Sequence, residues 1–455
     1  MVRVANQRSS DEAAVAAVGE LHDRLIEHGV GLAVRLWNGD TLGPEDAPWR
    51  LVLRHPWSLR ALLVPATELN VGETYLDDVV DVEGSMVAAL RDLRRLGGLQ
   101  LGAVEQLGWL RRLPAPPRGA GRFRRSQRPR LRGRVHSQSR DSDAVRSHYD
   151  VGNDFYQLFL DPDLVYSCAV FAEQDRDLPA TDRSVLARAQ QRKLELICRK
   201  LHLREGERLL DVGCGWGSLV IHAAREYGVE ALGVTLSPAQ AELARQRVRN
   251  AGLEDRVRIE VLDYRDVGGH FDAIASVGMV EHVGASELAR YAGRLAARLN
   301  EGGRLLNHGI TTGGRDVVRD LSRVRDSFVG RYVFPDGALV PAYRTVTELE
   351  RAGLELWDVQ QLRPHYARTL EHWVSNLESA AETARDLVGE RTYRVWRAYM
   401  AGSAVAFERN ELGVVQVLAV RHPHELPFGR AWMEPRSPEH PGSQGSDADR
   451  GERRR

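Results

Sequence analysis

The sequence predicts an α/β protein whose larger part is a doubly wound, mostly parallel sheet, and three observations predict it. From about residue 144 the apolar pattern alternates between short strand-like runs and longer helical periods. The run LLDVGCGWG (209–217) joins a strand to a helix through a glycine-rich turn, which lets backbone approach a ligand where a side chain would collide. About twenty residues on, the next strand ends Gly233-Val234-Thr235-Leu236-Ser237 and continues to Gln240, with no Asp or Glu for ribose hydroxyls, which disfavours NAD.

The elements follow in order. Residues 1–112 read as a small N-terminal α+β domain, opening with a helical pattern (Ala13, Ala14, Ala17, Leu21, Leu25, Ile26) and continuing through strand-like pieces at 31–36 and 51–53. Residues 113–143 form a Pro/Arg-rich linker; eight arginines fall between Arg118 and Arg134, with no acidic residue among them. It reads either as a solvated tether or as a contact for anionic phospholipid headgroups; with one aromatic (Phe123) it has little stacking capacity for nucleic acid. The third region, 144–434, predicts helix 183–200, strand 208–212, helix 217–227, strand 230–236, helix 238–251, strands 256–262 and 271–277, helix 286–299 and strand 303–309. Helical stretches at 367–384 and 391–409, expected to form a lid, precede a closing strand at 413–421. The tail 435–455, rich in Pro, Ser, Gly and charge, is expected to be disordered.

At 455 residues the chain is expected to hold at least two domains. Its 63 basic and 63 acidic residues cancel, so no net charge dictates a nucleic-acid partner. Three cysteines (Cys168, Cys198, Cys214) show no paired metal spacing, which predicts a reducing compartment without disulfides or a metal site. No apolar run spans a bilayer and Met1 to Asp11 has no signal-peptide core, so the expected location is cytoplasmic, with peripheral membrane contact at the inner face.

Further segments fall where a doubly wound sheet would bring them to one crevice: HYDVGNDFY with VYSCAVF (148–171), LDYRDV (262–267), SVGMVEHVG (276–284), LNHGIT (306–311) and RPHYARTL (363–370). With the glycine loop they resemble the cyclopropane-fatty-acyl-phospholipid synthase family of S-adenosylmethionine-dependent methyltransferases, which includes the branch that makes 10-methylene fatty acids. The likeness spans about 144–422 and implies a Rossmann-like class I methyltransferase sheet; GETYLDD (72–78) resembles the small domain of the phospholipid-acting members. It implies cofactor contacts from Tyr166, Ser167, Asp211, Gly213, Gly215, Thr235, Leu236 and Gln240, with Asp263, Tyr264 and Arg265 at the adenine end. Glycine N–H groups at a helix N-terminus suit the carboxylate of the methionine moiety.

The chemistry this resemblance implies is attack of an alkene on the sulfonium methyl, leaving a carbocation that must lose one proton. It implies bicarbonate as the base, held by Glu281, His308, Tyr366 and the backbone N–H groups of Cys168 and Ile310, with ionised Glu281 accepting the bicarbonate hydroxyl. Trp373, Leu377 and Val388 are expected along an acyl tunnel, and Phe328 to Leu339 resembles a substrate-side loop. Departures from the pattern are Gly309, where Thr is common, and Val280, which is smaller than usual; both are expected to enlarge or reshape the pocket. The implied function is methyl transfer to the cis double bond of a phospholipid acyl chain, closing a cyclopropane ring. The same transfer giving a methylene group for a flavin-type reductase partner, and a catalytically silent lipid or cofactor binder, stand as alternatives. A homodimer through the N-terminal domain is implied by analogy.

Overall fold

The computed structural model describes residues 2–27, 32–65, 67–96, 111–117, 140, 151–313, 327–334, 337–424 and 426–434. The linker arginines 118–134 and the tail 435–455 lie outside them, so the expectations of lipid contact and of disorder there meet no structural observation.

The N-terminal region builds a four-stranded sheet. Helix α1 (Val2–Glu27) buries Ala14, Ala17 and Val18 and precedes β1 (Ala33–Arg35), β2 (Thr41–Leu42) and β3 (Trp49–Leu53). Helices α2 (Ser58–Leu63) and α3 (Glu68–Leu76) lead to β4 (Val80–Gly84) and α4 (Met86–Leu96), and the strand order is β2-β1-β3-β4. Thr67 caps α3 by accepting the Asn70 N–H at 3.2 Å. GETYLDD thus closes α3 and turns the chain into β4.

After α5 (Asn153–Phe159) and α6 (Arg183–Lys200), strands alternate with helices as the sequence predicts. These are β5 (Arg208–Val212), α7 (Ser218–Tyr227), β6 (Glu230–Thr235), α8 (Pro238–Asn250), β7 (Val257–Val261), β8 (Phe271–Val277), α9 (Val280–Val283), α10 (Leu288–Ala296) and β9 (Leu299–Thr312). Beyond them lie α11 (Phe328–Tyr332), α12 (Ala342–Arg351), β10 (Leu354–Gln361), α13 (Arg363–Ser379), α14 (Ala381–Glu408) and β11 (Leu412–Arg421). The seven-stranded sheet runs β10-β11-β9-β8-β5-β6-β7, parallel from β9 to β7 and antiparallel where β11 pairs with β9 and β10 with β11. Strand order reverses beside β5, so the β5 and β8 carboxyl ends open the crevice where such sheets bind ligands.

Some elements differ from expectation. Strand β9 runs from Leu299 to Thr312, well past the expected 303–309, because β11 pairs along its length from Arg304 to Thr312. Strand β10 and helix α12 were not expected; β10 carries Glu, Asp and Gln at an edge with a register irregularity between Leu356 and Asp358, which blurs its period-two signal. Helix α13 begins at Arg363 and the pair divides at Ala380, whereas the expected gap at 385–390 holds Gly389, a left-handed break (φ 77°) inside α14.

The small sheet and the α13–α14 pair share one apolar core, which includes Trp49, Leu53, Tyr75, Phe155, Trp373, Trp396 and Phe407. Two buried arginines of α14 fasten the regions together. Arg394 donates to the Tyr75 carbonyl at 2.7 Å and pairs with Asp78 and Asp81; Arg397 donates to the carbonyls of Val82 (2.8 Å) and Gly84 (2.6 Å) and pairs with Glu378. Arg91 of α4 adds ion pairs to Glu371 and Glu408.

Candidate active site

The glycine turn after β5 forms because its backbone needs conformations that side chains resist. Gly213 sits at φ 81°, and a Cβ there would fall 2.6 Å from Cγ and Sδ of Met279, so only glycine lets this turn close against the β8–α9 turn. The N–H groups of Gly213 and Cys214 both donate to the Val234 carbonyl, at 2.9 and 3.0 Å, tying the turn to β6.

One crevice opens above this turn, and all eleven cofactor residues expected from sequence line it: Tyr166, Ser167, Asp211, Gly213, Gly215, Thr235, Leu236, Gln240, Asp263, Tyr264 and Arg265. Thr235 bonds the Gln240 carboxamide oxygen at 2.8 Å and so fixes that side chain. Asp263 accepts the Arg265 N–H and two guanidinium bonds, at 2.6 and 2.8 Å, which sets the crevice wall beside Tyr264. Asp211 is buried with Oδ1 unpartnered, and burial pushes its carboxyl up to about 7. An unsatisfied buried carboxylate oxygen and a glycine cradle fit a ligand that brings its own ammonium and carboxylate. Lys193, Trp216, Met279 and His282 also line the crevice and were not singled out in the sequence.

Of the five residues expected around the anion, Glu281 and Ile310 touch directly, His308 lies two residues before Ile310 on β9, and Cys168 and Tyr366 lie on segments that bond each other. Cys168 follows Ser167 in the chain, and its neighbourhood is stitched to α13: the Ala169 N–H donates to Thr369 Oγ1 at 3.0 Å and the Phe171 N–H to His365 Nδ1 at 3.2 Å. That brings the Cys168 backbone to the helix bearing Tyr366. The Cys168 thiol is buried and burial raises its pKa, so it is no nucleophile. Trp373 joins the two halves, stacking on Tyr166 (centroids 5.1 Å apart) and standing edge-on to Tyr366 at 6.0 Å. It and Leu377 are buried in the shared core, and Val388 packs on its margin.

Strand β8 ends at Val277, opposite His308, and past that end β9 next meets Val340, through a parallel bridge at Thr311. The Ile310 N–H, past that end, donates to Glu281 Oε1 at 2.6 Å; in this structure it serves the glutamate. Glu281 Oε2 and His308 Nε2 are buried and unpartnered. Gln416, opposite His308 on β11, places its amide nitrogen 3.1 Å from Nδ1; with the amide donating, the imidazole proton sits on Nε2. Burial lowers the His308 pKa to about 3 and raises that of Glu281 to about 7. Protonated Glu281, able to donate, is therefore populated at neutral pH beside the ionised form expected from sequence. A Cβ on Gly309 would overlap Val280 Cγ1, so Val280 occupies the room that glycine leaves, and the two departures from the pattern lie against each other.

Comparisons with known proteins place the chain in a family. The family model described as mycolic acid cyclopropane synthetase matches residues 136–417. A Pseudomonas putida protein named probable fatty acid methyltransferase is 42% identical over 88% of this chain and 96% of its own length. The tuberculostearic acid methyltransferase UfaA1 of Mycobacterium tuberculosis is 33% identical over 73% of this chain and 75% of its own. The crystal structure of the mycolic acid cyclopropane synthase CmaA1 complexed with SAH and CTAB superposes with a TM-score of 0.57 at 31% identity, covering 62% of this chain and 98% of that one. The chain belongs to the mycolic acid cyclopropane synthetase family and is an S-adenosylmethionine-dependent methyltransferase.

Proposed function

We propose that this methyltransferase acts on the cis double bond of a phospholipid-bound acyl chain and closes a cyclopropane ring, with bicarbonate taking the departing proton. The observation that carries the reading is the pair of buried, unpartnered atoms Glu281 Oε2 and His308 Nε2, on segments that adjoin the crevice-lining Val277, Met279 and His282. S-adenosylmethionine, when bound, supplies the electrophilic methyl group. His308, with its proton on Nε2, donates to a small anion, and Glu281 either accepts a hydroxyl or, protonated, donates. For Ile310 to hold the anion as well, Glu281 Oε1 must release its N–H. Aromatic faces and the buried core around Trp373 exclude water and favour a transient positive charge on the acyl chain.

A phospholipid acceptor is supported by the GETYLDD segment and by the four-stranded sheet fastened to α14. No described helix is long and apolar enough to cross a membrane, and we place the protein in the cytoplasm, meeting the bilayer at its inner face. A homodimer through the N-terminal region belongs to the same proposal. The tuberculostearic acid methyltransferase relative favours a second reading, in which a hydride shift precedes proton loss and the methylene product passes to a flavin-type reductase. Proton NMR of lipids recovered after incubation with S-adenosylmethionine and cis-monounsaturated phospholipid vesicles separates them. High-field ring protons establish the cyclopropane, vinylidene protons the methylene, and unmodified lipid overturns both.

A further inference from the structure

Helix α6 presents a buried stripe through Leu186, Ala189, Gln190, Lys193, Ile197 and Lys200, and the two lysines in it are conspicuous. Lys200 is explained by Asp358, 3.0 Å away. Lys193 has no such partner. It is 2% exposed, lines the cofactor crevice, and its Nζ donates to the hydroxyl of Ser167 at 3.0 Å. One turn earlier, Gln190 donates to the carbonyls of Val165 (3.2 Å) and Ser167 (2.9 Å), so α6 holds the Tyr166–Ser167 segment rigidly while aiming the ammonium past it.

Asp161 and Asp211 attract the Lys193 charge from nearby, but neither makes a direct bond to Nζ. The oxygens of Asp161 accept the N–H groups of Val165 (2.9 Å) and Asp163 (3.0 Å). Asp211 lines the same crevice and keeps Oδ1 unpartnered. A buried cation and a buried anion that both face one cavity complement a zwitterion, and a desolvated carboxylate placed beside Asp211 needs a counter-charge. The N–H groups of Gly213 and Cys214 are already spent on the Val234 carbonyl, so a cation is the group left to hold such a carboxylate there.

We propose that Lys193, steadied by Ser167, is the counter-charge for the α-carboxylate of the cofactor's methionine end, while Asp211 faces its α-ammonium. The inference rests on the crevice being the S-adenosylmethionine site. Burial lowers the Lys193 pKa to about 8, and a carboxylate at Nζ stabilises its charged form.

Calorimetric titration tests this with two probes, S-adenosylhomocysteine and 5′-methylthioadenosine, which share the adenosine thioether and differ in the amino-acid end. Lys193→Met is expected to weaken S-adenosylhomocysteine binding tenfold or more and to leave 5′-methylthioadenosine within twofold of wild type. Equal losses for both probes would make Lys193 a packing element, and no loss for either would remove it from the site; each result overturns the proposal. Should Lys193→Met not fold, the wild-type protein decides through the decarboxylated analogue of S-adenosylhomocysteine. Binding at least tenfold weaker than the parent supports carboxylate recognition, and equal affinity overturns it. Wild-type protein that binds none of these probes would sink the crevice assignment itself, a result distinct from a lysine that does not discriminate.

Discussion

Burial brings Glu281 and His308 toward neutrality from opposite sides, and the two shifts act on stability in opposite pH windows. The folded glutamate keeps its proton up to about 7 against an unperturbed 4.5, so its contribution to stability is full below about 4.5 and lost as pH rises through 7. The folded histidine stays neutral down to about 3 against 6.5, so its contribution is present above 6.5 and lost as pH falls toward 3. Glu281→Gln is therefore expected to match wild type near pH 5 and to exceed it by up to about 3 kcal/mol at pH 8, read from thermal melts at the two pH values. Equal offsets at both would show that this carboxyl is not held near 7. Glu281→Gln and His308→Gln are each expected to lower turnover about 100-fold or more while S-adenosylhomocysteine affinity stays within about twofold; wild-type rates from either would remove the residue from proton transfer. The residues that line the crevice were legible in the sequence because glycines, a strand-ending Thr and paired Asp–Arg sit in compact motifs. Lys193 was not, since a lone lysine in a helix reads as solvated, although its place on the apolar stripe with Leu186 and Ile197 carried the signal. Gln416 was hidden for another reason: its partnership with His308 spans 108 residues and depends on antiparallel register.

Strand β9 carries His308, Gly309 and Ile310, and the short helix α9 carries Val280 and Glu281, so the approach of these two elements sets the geometry of the proposed anion site. The contact between Gly309 and Val280 controls that approach. Gly309→Ala is expected to push α9 away, stretch the Glu281–Ile310 bond and cost about 1–3 kcal/mol, with a matching loss of turnover. Adding Val280→Ala should return most of both, measured as a double-mutant cycle; additive losses would mean that the two residues do not oppose each other. The parallel strands were readable because β5, β6 and β8 are nearly continuous apolar runs buried on both faces. Strand β10, half exposed at the sheet edge, has no such run, and only its pairing with β11 reveals it.

On the scale of the molecule, the seven-stranded sheet and its helices were legible from the alternating pattern, but the fastening of the N-terminal sheet to α14 was not, because the arginines that make it look like ordinary surface charges in a helix. Arg397 is buried and meets two carbonyls and Glu378, so Arg397→Met is expected to cost about 3 kcal/mol or more. Arg391, whose partner Asp77 lies at 2.6 Å near the surface, should change stability by less than about 1 kcal/mol when replaced by Ala. Melting temperatures of the two variants check the contrast, and similar shifts would deny that the buried bonds do the fastening. Arg397 reads β4 through main-chain oxygens of Val82 and Gly84, atoms that every amino acid supplies. Selection on the Arg397–Val82 bond therefore marks one partner only: position 82 can change in sequence while it stays in a strand, the arginine cannot, and this bond leaves no covarying pair by which an aligned set of relatives would betray it, unlike the Arg394–Asp81 pair beside it.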